Sequence, residues 1–173
     1  MLKVAVIGSA VCTDDRLLSL AAAVGRALAK GGFLVLTGAC GGIPQATEAA
    51  AIRAGGATLG ISPASKNKVH QQLGLPDRRG KPTVWTGAGF KGRNVVMMES
   101  YADCAVMIHG GLGTLNESLI CLEKGRMMYT FPGLGGAAAL IESIIVNLHP
   151  SLRYLIVDCT SVTELMTALK VIE

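Results

Sequence analysis

What this chain has least of narrows its function more than what it has most of. Only 4% of its 173 residues are aromatic, so a surface that stacks successive bases has little to be built from. Charge is scarce as well, at 16% of residues, and the formal net charge is only +4. The largest basic clusters are Lys66-Asn67-Lys68 and Asp77-Arg78-Arg79-Gly80-Lys81, well short of the basic stripe that marks a nucleic-acid binder; no nucleic acid is expected as a partner. No window reaches the roughly 18 consecutive apolar residues of a membrane span, and Met1-Leu2-Lys3-Val4 enters a strand-like run without the look of a signal segment. The five cysteines (Cys12, Cys40, Cys104, Cys121, Cys159) are odd in number and include no CxxC, which reads as free thiols in a reducing cytoplasm. Three histidines without ligand spacing suggest no metal site. There is no GxxxxGK[ST], the first turn Gly8-Ser9-Ala10 is not GxGxxG, and no acidic residue ends the second strand. P-loop and NAD chemistry are both disfavoured.

What is present is aliphatic and regularly punctuated. Half the residues are hydrophobic and 22 are glycine, a profile suited to one globular domain over residues 1–173 with a large aliphatic core. Apolar runs at 2–7, 33–37, 57–61, 83–86, 104–108, 127–131 and 154–157 read as strands. Helical patterns at 17–30, 44–53, 92–101 and 114–124, and another led into by Gly133 to Gly136 and ending near Asn147, lie between them. Ser161-Val162-Thr163-Glu164 reads as a capping box for a last helix. The stretch 62–81, polar and proline-bearing, reads as a surface excursion. Strand–helix alternation predicts an α/β, Rossmann-like three-layer sandwich with a mostly parallel sheet flanked by helices. Every strand-to-helix turn then lies at the carboxyl edge of the sheet. The glycine-bearing turns at Gly8, Gly38–Gly42, Gly87–Gly92 and Gly110–Gly113 should therefore share one rim.

The densest of these turns is His109-Gly110-Gly111-Leu112-Gly113-Thr114-Leu115-Asn116-Glu117. Its glycines permit close approach by a ligand, and the helix it opens offers unpaired N–H groups to an anion. Glu117, read as lying in the first turn, either caps its helix through the T-x-x-E pattern or presents a carboxylate to a bound ligand. Gly38-Ala39-Cys40-Gly41-Gly42 is a second anion-competent turn. Arg93, read as opening its helix, is mildly misplaced there by charge, so a phosphate or carboxylate partner is expected, Glu117 among the choices, held bidentately by its fork. His109 reads as a strand-end residue with ligand contact open. Cys12 and Cys40 lie at rim turns without a histidine to activate them.

These motifs resemble the Lonely Guy (LOG) superfamily, which often carries a lysine-decarboxylase label. Thr37-Gly38-Ala39-Cys40-Gly41-Gly42-Ile43-Pro44, Ala54-Gly55-Gly56 and Gly60-Ile61-Ser62-Pro63 look like its first glycine-rich segment. Arg93-Asn94, Asp103, Gly110-Gly111-Leu112-Gly113-Thr114 and Glu117 look like its second half. The resemblance implies a Rossmann-like fold, a homodimer or homotetramer, and a phosphorylated small molecule as partner. Characterised members cleave the N-glycosidic bond of nucleoside 5′-monophosphates, releasing base and ribose 5-phosphate without a required cofactor. By that similarity Arg93 and Glu117 are the catalytic candidates. The ligand- and phosphate-binding candidates are Gly8, Ser9, Gly38, Gly41, Gly42, Asn94, Gly110, Gly111, Gly113 and Thr114. Where the enzymes carry Arg-Lys and Pro-Gly-Gly, this chain has Arg93-Asn94 and His109-Gly110-Gly111. Arg-Asn looks like a sister branch that includes molybdenum-cofactor carrier proteins, which implies that cofactor, a phosphate-bearing pterin, as alternative cargo. No motif for a pyridoxal-phosphate lysine supports a decarboxylase.

Overall fold

The alternating apolar runs fold as parallel strands joined by helices. The computed structural model describes residues 1–171. In chain order the elements are β1 (Lys3–Gly8), α1 (Asp15–Lys30), β2 (Leu34–Thr37), α2 (Gly42–Arg53), β3 (Thr58–Ser62), α3 (Asn67–Gln72) and β4 (Thr83–Trp85). They continue with α4 (Gly89–Val95), β5 (Cys104–Ile108), α5 (Leu112–Glu123), β6 (Met128–Thr130), α6 (Gly136–Leu148), β7 (Ile156–Asp158) and α7 (Val162–Leu169). The sheet order is β4-β3-β2-β1-β5-β6-β7, all neighbours parallel. The chain builds outward from β1 through β4, then crosses back to place β5 on the other side of β1. That reversal opens a crevice at the carboxyl ends of β1 and β5, where doubly wound sheets bind ligands.

The strands are covered on both faces because successive side chains point to opposite sides. Val4, Val6, Val35, Cys104, Val106 and Ile108 pack with α1, α2 and α7 on one face. Ala5, Ile7, Leu36, Ala105 and Met107 pack with α5, α6 and the segment after α4 on the other. Strand β5, buried throughout, contributes side chains to both layers. Asp103 sits at the opposite, amino edge: it accepts from the Lys3 backbone N–H at 2.8 Å and pairs with Lys3 Nζ at 3.3 Å. Its place in the motif is thus structural, tying β1 to β5.

Three local expectations change. The stretch 62–81 is no mere surface excursion, because it contains α3 and buries His70 and Arg78. Helix α4 begins at Gly89, three residues before Gly92, and runs on as a wider π-helical turn over Val96–Tyr101. Residues 154–155 belong to a 3-10 turn over Pro150–Leu155, and only then does β7 begin. The final cap forms, with Ser161 Oγ accepting from Glu164 N at 3.2 Å, but the Glu164 carboxylate accepts from Thr160 rather than Ser161.

Candidate functional site

The carboxyl edges of β1, β2 and β5, with α4 across them, enclose a cavity of ≈ 370 Å³, within the range of small-ligand pockets. Gly8, Ser9, Gly38, Cys40, Arg93, Asn94, Gly111, Gly113, Thr114 and Glu117 all line it. The shared rim expected from the turns is therefore present. Two of its turns hold non-glycine residues in the left-handed region, Ala39 at φ 56° and His109 at φ 53°, a conformation uncommon outside glycine and often concentrated at functional sites.

The two anion-competent turns are not equivalent. At the start of α2, Ile43 N donates to the Ser9 carbonyl at 3.0 Å, and Pro44 has no N–H. A Cβ on Gly42 would overlap the Ser9 carbonyl, so the glycine lets the β1–α1 turn pack against the helix. Gly41 and Gly42 do not line the cavity. This terminus is largely closed by its neighbour. At the start of α5, by contrast, Gly111 is the N-cap residue and no side chain caps the helix. A Cβ at Gly111 or Gly113 would meet nothing within 4 Å. Gly111, Gly113 and Thr114 of this first turn line the cavity, where the helix's open donors carry the positive end of its dipole. Gly110 stands behind them, at φ 99°, making room for the Thr114 side chain.

Arg93 lies inside α4 rather than at its start, and is 5% exposed. Its Nη1 donates to the Gly38 carbonyl and, at 3.5 Å, to that of Ile61; its Nε donates to Asn94 Oδ1 at 3.0 Å. Asn94 Nδ2 in turn donates to Asn116 Oδ1 at 2.9 Å. A Cβ on Gly38 would overlap Arg93 Nη1, which makes glycine at 38 a condition for the guanidinium's position. The bidentate fork expected to grip a ligand is thus engaged by the protein's own acceptors. Only Nη2 is left, 3.9 Å from Glu117 Oε1.

Glu117 lies in the second turn of α5, since the helix starts at Leu112, and it caps nothing. At 7% exposed, its carboxyl is pushed up to about 7 by burial, against the pull of Arg93 and then Lys91. Such a group is present in both protonation states near neutrality. Cys40 joins the same floor; burial pushes its thiol up, outweighing Arg93 beside it. It is a thiol, not a poised thiolate.

A family model described as the SLOG cluster4 family matches residues 1–165. The chain belongs to that family. Its relatives include a cytokinin riboside 5′-monophosphate phosphoribohydrolase of Mycobacterium marinum, 36% identical over 72% of this chain and 64% of that protein. This chain therefore spans under two thirds of the mycobacterial protein's length. An uncharacterised protein of Archaeoglobus fulgidus is 29% identical over 73% of this chain and 77% of its own. Among solved structures, the molybdenum cofactor binding protein of Rippkaea orientalis superposes with a TM-score of 0.81, at 22% identity, covering 99% of this chain and 96% of that one. That likeness is one of fold. The LOG-superfamily resemblance holds.

Within this SLOG chain the structure places several expected residues away from the cavity. His109 turns its ring toward Gly135 and Gly136 at the start of α6, with Nδ1 buried and unpaired. Cys12 and Gly110 also fall outside the lining. The lining also includes residues that were not site candidates, among them Leu75, Phe90, Lys91 and Pro44. Phe90 had a signal, since it shares a helix face with Arg93 and Asn94 at spacings of three and four, once α4 is started at Gly89. Leu75 had none. Among the described residues, no helix is long and apolar enough to cross a membrane and no cluster of His, Cys, Asp or Glu could hold a metal ion.

Proposed function

We propose that this SLOG protein binds a nucleoside 5′-monophosphate and hydrolyses its N-glycosidic bond to free base and ribose 5-phosphate. One observation carries the reading: an uncapped helix terminus and a buried, loosely paired arginine and carboxylate share a single cavity. The relative named as a phosphoribohydrolase supports it. The phosphate would sit on the first-turn amides of α5, with Lys91 as a nearby countercharge. Ser9 and the Gly8 and Gly38 turns would line the sugar's side. As the bond to the base breaks, its electron pair leaves with the base nitrogen and positive charge develops on the sugar. The ionised Glu117 stabilises that charge and aligns the attacking water, whose proton goes to the departing base. Because the ionised form is the working one, activity should rise as pH passes through about 7 and level off above it. Base release from AMP and related monophosphates, followed by chromatography, tests this; wild type should turn over at least ~100-fold faster than Glu117→Gln. Equal rates, or no release across the panel, would end the catalytic reading.

A second reading is non-catalytic carriage of a phosphorylated pterin such as the molybdenum cofactor. Asn94, engaged at both polar ends by Arg93 and Asn116, and the fold shared with a molybdenum cofactor binding protein favour it. Molybdenum analysis of freshly purified protein separates the two readings. Exposed Leu140, Val146, Leu148 and Tyr154 also support assembly as a homodimer or homotetramer, which light scattering would read directly.

A further inference from the structure

The segment between β3 and β4 hangs on one side chain. Of the six residues of α3, His70 alone is buried, and it is 0% exposed. Lys66, Lys68, Gln71, Gln72 and Leu73 around it face solvent. Inside, His70 Nδ1 lies 2.8 Å from Ser62 Oγ, which already accepts from the Ala64 backbone N–H at 3.0 Å. The serine proton then points at Nδ1, and the neutral ring carries its own proton on Nε2, an atom buried without a hydrogen-bond partner. The His70 backbone carbonyl meanwhile accepts from Leu75 N–H at 3.3 Å, and Leu75 lines the cavity. One residue thus joins the interior to a wall of the site.

The socket suits that ring only while it is uncharged. Burial and then Arg78, from the approach to β4, hold the imidazole below the ordinary histidine value. Arg93 of α4 adds to them, against the pull of the Ala39 and Pro76 carbonyls. The carboxylates of these elements are engaged elsewhere: Glu48 of α2 with Arg78, Asp77 with Asn67 and Arg79. Trp85 of β4 offers a ring, not a charge. A second proton would make both ring nitrogens donors, with one free lone pair of Ser62 to receive them. We infer that His70 is an acid-released latch: a proton from solvent drives its ring out of the socket, undocks α3 and draws Leu75 away from the cavity, so that one wall of the site is in place near neutrality and leaves in mild acid. The docked ring binds a proton less tightly than the undocked one, so docking is complete above about pH 6.5 and is lost as pH falls below it. From Arg78 onward the segment has its own anchor in the Glu48 ion pair, which confines the movement to α3 and the turn after it.

Trp85 is the chain's single tryptophan, and the His70 ring stands edge-on to it with centroids 5.7 Å apart, so its emission reports the ring's charge and place. Wild-type emission should change reversibly between about pH 7.5 and about pH 5, with a midpoint below the ordinary histidine value of about 6.5. Over the same range, amide exchange at 66–75 followed by NMR and corrected for its intrinsic pH dependence should rise at least ~tenfold, the Leu75 amide included, while β5 amides stay protected. In His70→Gln, which cannot take up the proton, both changes should be nearly abolished. Where His70→Gln does not fold, Ser62→Ala serves: the ring loses its partner, and 66–75 should exchange at least ~threefold faster than wild type already at about pH 7.5. Unchanged exchange in Ser62→Ala would overturn the latch. So would a wild-type emission change without faster exchange, since the ring would then charge in place, or an acid opening that persists in folded His70→Gln. No ligand enters these measurements, so their failure leaves the phosphoribohydrolase reading where it stands.

Discussion

Two buried arginines, each seated where a glycine clears its path, have come to opposite ends. Arg78 fills the space that a Cβ on Gly60 would take, as Arg93 fills that of Gly38. Arg78 is satisfied all round: Nη1 forms an ion pair with Glu48, Nε donates to Thr83 Oγ1 at 3.1 Å and Nη2 to the Pro82 carbonyl at 3.1 Å. Around it, Ser62 Oγ and His70 Nδ1 lie 2.8 Å apart, and the His70 ring stands edge-on to Trp85. Arg93 has an equally buried carboxylate opposite it but meets it only at 3.9 Å, beside a cavity. The same ingredients make a strut in one place and part of a cavity wall in the other. What separates them is whether the carboxylate is closed upon or kept waiting.

The comparison breaks most visibly at the strut. Glu48→Ala leaves Arg78 charged, buried and without its anion, a change that costs about 3–5 kcal/mol. Denaturant unfolding should show that loss, and ligand binding in the protein that remains folded should be little changed. A loss below about 1 kcal/mol would mean that the strut adds nothing. The loose pair should behave in the opposite sense. Glu117 has its carboxyl raised from 4.5 to about 7, so the native state holds that proton more tightly than the unfolded chain. Stability is then lost as pH rises from about 4.5 through about 7, by up to roughly 3 kcal/mol. Glu117→Gln removes the penalty. It should melt several degrees above wild type at pH 8 and near wild type at pH 5, while losing activity, the trade expected of a strained site. Equal shifts at both pH values would deny the buried-carboxylate account.

Much of this was legible in the chain before the coordinates. β5 occupies the residues its apolar run marked, and the glycine turns meet at one rim because parallel order puts them there. The misreadings have a common origin. Arg93 and Glu117 were placed at helix starts because Gly92 and Thr114 look like starting signals, whereas α4 begins earlier at Gly89 and α5 at Leu112 behind Gly111, glycines that give no side-chain signature of a cap. The Glu48–Arg78 pair was invisible for another reason. It joins residues 30 positions apart, and a buried ion pair written in polar letters looks like a solvent-facing loop. Hydrophobic periodicity registers what packs by area, not what packs by charge.

The smallest expected change in stability is also the sharpest test of where the anion sits. Helices α1 and α7 are capped by side chains, Asp14 accepting from Arg16 N at 2.8 Å and from Leu17 N, and Ser161 from Glu164 N. Helix α5 is left open at Gly111, although its backbone there (φ −127°, ψ −151°) is extended and suits any residue. A side chain would also meet no neighbour. Gly111→Asp should therefore cap α5 and change stability by no more than a few tenths of a kcal/mol, in its favour. Binding should change far more, because the new carboxylate takes the donors a phosphate needs and repels it besides. Phosphate affinity measured by calorimetry should fall at least ~100-fold in Gly111→Asp and stay within a few-fold of wild type in Gly111→Ala, which adds volume without a competing acceptor. If Gly111→Asp bound phosphate as wild type does, the anion would have to rest on the α2 turn. The contrast between the two helix termini, one closed by the Ser9 carbonyl and one open, would then have been read the wrong way round.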